Sequence, residues 1–88
     1  MNAIWKFEIK GSFCDIEMPA DALILNLATQ YEKPCIWAQV ETEAPLEKRR
    51  FVTLGTGHPF TNHEQARFVG TFMLHGGSFV GHVFEVQP

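Results

Sequence analysis

The amino-acid sequence predicts an all-β domain, a small antiparallel sandwich or barrel of about seven short strands with at most one short helical turn. Three observations carry this expectation. Apolar and polar residues alternate with a period of two through most of the chain, glycine or proline interrupts the alternation at short intervals, and only one segment has the composition of a helix. At 88 residues the chain is one domain spanning 1–88, too short for a second core.

The elements follow in order. Ile4 to Ile9 sets Trp5, Phe7 and Ile9 on one face and Lys6 and Glu8 on the other, the pattern of a half-buried strand. Lys10-Gly11-Ser12 reads as a turn, and Phe13 to Met18 alternates Cys14, Ile16 and Met18 against Asp15 and Glu17. The first two strands are therefore expected to form a hairpin, ended by Pro19 because proline cannot donate to a ladder. Ala22 to Tyr31 is the helix-like segment, since Asp21 has the chemistry of a cap. Its alternation favours a strand, with Leu23, Leu25, Leu27 and Thr29 opposed to Ile24, Asn26 and Ala28. Glu32-Lys33-Pro34 reads as a turn, and Cys35 to Glu41 as the second arm of another hairpin, with Ile36, Ala38 and Val40 opposed to Trp37 and Gln39.

Thr42 to Lys48 holds Pro45 among charges and is expected to be an exposed loop, after which Arg50 to Leu54 opposes Phe51 to Val52 and Leu54. Gly55-Thr56-Gly57-His58-Pro59 breaks the backbone, and Thr61-Asn62-His63-Glu64 matches a capping box, so one helical turn is expected there. Arg67 to Leu74 and Ser78 to Val86 form the last hairpin around His75-Gly76-Gly77. On its final strand Val80, His82, Phe84 and Val86 share one face, and Phe79, Gly81, Val83 and Glu85 the other. The tryptophans and most phenylalanines alternate as core residues do, whereas Tyr31 and Phe60 flank turns.

Composition narrows the function classes. The formal net charge of -3 argues against general nucleic-acid binding, which needs clustered cations; Lys48-Arg49-Arg50 is the one basic run, and it follows Glu41, Glu43 and Glu47. No stretch approaches the ~20 apolar residues of a membrane span, so no membrane partner and a cytoplasmic location are expected. There Cys14 and Cys35 stay reduced, and they read as buried thiols. His58, His63, His75 and His82 follow no zinc spacing, and no phosphate loop, dinucleotide fingerprint or nucleophile elbow is present; neither metal nor cofactor is expected.

Two sets of residues stand out. In the segment Gly55, Thr56, Gly57 and His58, glycine backbones let amides converge as an anion-binding nest, with Arg67 and Phe60 as a cation and a stacking ring beside it. The plain alternative is a tight β corner. The second set is Val80, His82 and Phe84 on the last strand, apolar on both faces and therefore a candidate contact in a homodimer or larger closed oligomer. Pairing or packing of that strand across a two-fold axis would bring His82 close to its own copy and loosen the assembly below pH ~6.5.

Pro34-Cys35-Ile36-Trp37-Ala38, Gly55-Thr56-Gly57-His58-Pro59, Val69-Gly70-Thr71-Phe72 and His82-Val83-Phe84-Glu85-Val86 carry a resemblance. The chain resembles a family of short, uncharacterised proteins of bacteriophages and bacterial prophage regions. That resemblance implies a common fold and an accessory setting, with no catalytic or binding residues to transfer. In that setting the expected function is a non-enzymatic anti-defence protein that sequesters a small anionic, nucleotide-like ligand. One alternative is an inhibitor acting by contact with a host protein, which would show a contiguous exposed apolar patch on the Trp37 or Phe79 face. A small histidine-dependent hydrolase is the other.

Overall fold

The computed structural model describes residues 1–60 and 65–88. Seven strands are present among the described residues: β1 (Asn2–Glu8), β2 (Phe13–Pro19), β3 (Leu23–Gln30), β4 (Lys33–Glu41), β5 (Leu46–Gly55), β6 (Arg67–Leu74) and β7 (Phe79–Val86). A three-stranded sheet, β1-β4-β3, packs on a four-stranded sheet, β2-β5-β7-β6, and every neighbouring pair is antiparallel. The shortest dimension of 17 Å is that of two layers about 10 Å apart, so the domain is a sandwich. Among the described residues no helix is long and apolar enough to cross a membrane.

The expected first hairpin does not form. β1 pairs with β4 and β2 with β5, in different sheets. The 10–12 connection instead crosses the sandwich: Ile9 still donates to Pro34 at 2.9 Å on one sheet, while Ser12 accepts from Thr53 at 2.9 Å on the other. A turn signal marks where a strand stops. It does not say whether the next strand pairs or packs, and here packing lets both apolar faces share one core.

β3 and β4 form the expected hairpin, with two corrections. The turn is Tyr31-Glu32, both at positive φ (52° and 60°) in the manner of a type I′ turn, and Lys33 and Pro34 already belong to β4. A bulge between Ile24 and Asn26 also breaks the alternation of β3, so Ile24 and Leu27 face the core, opposite Ala38 and Ile36, while Leu23 and Leu25 are exposed.

β5 begins at Leu46, so only the first part of the expected 42–48 loop is loop; Leu46, Glu47 and Lys48 pair with Pro19, Met18 and Glu17. β6 and β7 form the expected hairpin through a 3-10 turn at His75–Gly77, with Gly76 and Gly77 at φ 66° and 95°. That turn is the one short helical element among the described residues; the capping-box segment Thr61-Asn62-His63-Glu64 lies outside them. β7 lies between β5 and β6, and both its edges are paired within the chain. Its apolar character on both faces is that of an interior strand, and the edge pairing that would bring His82 against its copy has no free edge.

The core joins Ile9, Met18, Leu27, Ile36, Ala38, Val40, Phe51, Phe72 and Val83 from both sheets. Cys14 and Cys35 are buried free thiols. The expectation that the aromatics are core fails for Trp5, Phe13, Phe68 and Phe79, which are exposed, while Tyr31 and Phe60 are exposed as expected of turn residues.

Candidate functional site

The glycine loop folds as a tight corner. The His58 amide donates to the Gly55 carbonyl at 3.1 Å, and Gly57 has φ +89°, which a side chain would strain. The His58 ring lies on Gly55 so closely that a Cβ there would come within 2.8 Å of Cε1. Thr56 turns the other way, its hydroxyl 2.7 Å from Nε2 of His82, whose Nδ1 is 3.0 Å from the Thr71 hydroxyl. Hydroxyls donate or accept, so this string ties the loop to β6 and β7 in either imidazole tautomer. The loop residues and His82, with Phe60, Phe68 and Phe84, line one shallow hollow on the outer side of the four-stranded sheet.

Arg67 is not part of it. It pairs with Glu85 in the β6–β7 ladder, whereas Gly81 of β7 is the residue that meets Gly55, so four residues of strand, roughly 13 Å, separate Arg67 from the loop. Arg67 lines the far end of the sandwich beside Arg49 and Glu85. There Arg49 donates to both Glu85 oxygens, at 2.6 and 2.9 Å, and to the Ala22 carbonyl at 2.6 Å. The Glu85 carboxylate raises the Arg49 pKa above its ordinary value, and the charge is neutralised within the chain.

At the loop end of the sandwich, Ile9, Pro34, Phe72, Leu74, Phe79 and His58 line an apolar slot of about 560 Å³ between the sheets. Among the described residues no three His, Cys, Asp or Glu side chains come together as metal ligands would.

Strand register builds a further surface feature. On the outer face of the four-stranded sheet Phe13 is opposite Val52, Val52 opposite Phe84, and Phe84 opposite Phe68, so one apolar row crosses all four strands. Phe68 packs on Phe84 at 5.3 Å between centroids, and Phe60 meets Phe84 edge-on at 4.6 Å. Phe13 is 61% exposed and Phe68 57%. Charge borders the row on one side: Arg50 donates to both Asp15 oxygens, at 2.8 and 3.1 Å, and its guanidinium lies 4.7 Å from the Phe13 ring centroid. Glu17 and Lys48 form the next cross-strand pair. His82, Leu54 and Thr71 border the other side.

Of the sequence-predicted residues, Gly55, Thr56, Gly57, His58 and Phe60 come together with His82 and Phe84, Arg67 stands apart, and Val80 shares the outer face of β7 with them. Sequence reasoning missed Phe13, Val52 and Phe68. One signal was available for Phe13: it has the parity of Asp15 and Glu17, an aromatic residue on a polar face.

No curated protein and no solved structure matches the chain. The model of one family, described as a domain of unknown function (DUF7352), matches residues 1–88, and the chain therefore belongs to that family.

Proposed function

We propose that this domain is a non-catalytic binding protein that works by contact with another protein chain, through the outer face of its four-stranded sheet. The Phe13-Val52-Phe84-Phe68 row carries this reading. A contiguous apolar strip bordered by polar and charged groups has the composition of an interface core inside a rim. It lies on a different face from the Trp37 and Phe79 positions that the sequence suggested.

Capture of a small anion has less support. The His58 amide is used in the corner, the Thr56 hydroxyl faces His82, and Arg67 is remote. A hydrolytic reading would start from the Thr56–His82 pair, yet the group behind His82 is the neutral Thr71 hydroxyl, which stabilises an imidazolium far less than a carboxylate does. We read the string as a fastener of the corner.

Lysine cross-linking in cells tests the proposal, because Lys48 lies on the same outer face, beyond the Arg50–Asp15 pair and within reach of a partner that covers the row. Protein adducts at Lys48 are expected in the wild type, retained in Tyr31→Glu, a change at an 87% exposed position on the β3–β4 turn, and lost in Phe68→Glu. Adducts indifferent to Phe68→Glu would overturn it.

A further inference from the structure

We infer that the occupant of the aromatic face is a second copy of this chain, packed sheet on sheet; the inference rests on the protein-contact reading above and names its partner.

Area is the first argument. Phe13, Phe60, Phe68 and Met73 are 61, 45, 57 and 57% exposed. With large side chains of about 200 Å² each, they leave on the order of 400 Å² of apolar surface uncovered. A standard interface takes about 800 Å² from each partner, roughly two-thirds of it apolar in homodimers. The row and its neighbours supply most of such a core, and an 88-residue domain has little interior of its own to spare.

Charge is the second. Asp15 and Glu17 against Lys48 and Arg50 make the rim neutral, although the chain carries a net -3. A strongly acidic or basic partner would call for a rim of one sign, whereas a balanced rim meets its own copy without net repulsion. The pair closest to the row is already satisfied within the chain, since Arg50 holds both Asp15 oxygens, so covering it leaves no charge uncompensated.

Register supplies the third. A two-fold axis parallel to the strands and midway between β5 and β7 exchanges those strands, and β2 with β6. It sets Phe84 of one copy over the small, 6% exposed Val52 of the other, and Phe13 against Phe68. Large opposes small at the centre, and aromatic meets aromatic at both ends. This contact uses the face of β7, including Phe84 and Val80, and leaves its paired edges intact.

Sedimentation equilibrium of the full chain from low micromolar to near-millimolar concentration tests the inference. The mass is expected to rise from 10.0 kDa toward twice that value. Phe68→Glu and, separately, Phe13→Arg should each weaken the association by about tenfold or more, with the urea midpoint retained at concentrations where the wild type is monomeric, and Tyr31→Glu should leave the association unchanged. A wild type that stays monomeric over the whole range overturns the inference, as does a dimer that survives both row substitutions. If that monomer still forms Lys48 adducts with other proteins that Phe68→Glu abolishes, the copy is wrong and the protein-contact reading stands; if Phe68→Glu changes no adduct, both fall.

Discussion

Arg49 and Arg50 are neighbours on β5, each grips a carboxylate through two hydrogen bonds, and they lie on opposite faces of one sheet. Arg49 points between the sheets, where it and Glu85 are 15 and 18% exposed and the Ala22 carbonyl takes a third bond. Arg50 points outward, its pair with Asp15 about twice as open to water. Phenylalanine divides in the same way: Phe51 and Phe72 are at most 6% exposed on the inner face, and Phe13 and Phe68 more than half exposed on the outer. Both faces thus carry the same chemistry, aromatics beside an Arg–carboxylate fork. Where a second layer covers it, that chemistry holds the fold together; on the outer face, which no second sheet covers among the described residues, Phe13 and Phe68 stay exposed.

The largest expected effect breaks or confirms this contrast directly. Phe51→Ala should cost about 3–5 kcal/mol in urea unfolding, a large share of a small domain's stability, because it empties a fully covered site. Phe68→Ala should cost less than about 1 kcal/mol. Similar losses at both positions would mean that the outer row is structural.

The arginines sharpen the comparison at the next level. Arg49→Met leaves Glu85 without its fork at the mouth of the core and should cost about 2–3 kcal/mol, partly recovered when Glu85→Leu is added. Arg50→Met should be much milder, because water screens that pair. Parallel denaturation curves give the ranking, and an inverted order would refute it.

The smallest effect is a pH dependence. The hydrogen bonds from Arg50 hold the Asp15 carboxyl below its ordinary pKa. A carboxylate with a depressed folded pKa contributes stability that is complete above the unfolded value of about 3.9 and is lost as pH falls through the folded value. Asp15→Asn should therefore lower neutral stability slightly, converge with the wild type in acid, and so flatten the acid limb of the stability curve below pH ~4. An unchanged acid limb would show that the outer fork does not hold in solution.

Much of the fold was legible, and the failures share a cause. The alternation of β1, β2 and β4, the helix-or-strand choice in β3 and the last hairpin follow from local pattern and turn chemistry. The first hairpin failed because Lys10-Gly11-Ser12 suits a sheet-to-sheet crossing as well as a turn back. The faces of β3 failed at a bulge, where one extra residue, Leu25, reverses the parity that alternation assumes. Arg67 joined the glycine loop by nearness in sequence, and the ladder then carried it to the other end of the sandwich.

Local pattern alone carries the all-β class, most of the turns, and the shared faces of strands without a bulge, since these depend on a few consecutive residues and a period of two. Only the tertiary structure decided which of two apolar faces is covered and which strands stand side by side. Phe13, Val52, Phe84 and Phe68 are scattered over 72 positions and become one row only when β2, β5, β7 and β6 are hydrogen-bonded in register. Burial is a property of what packs on a face, and a strand's own sequence does not contain the layer that covers it.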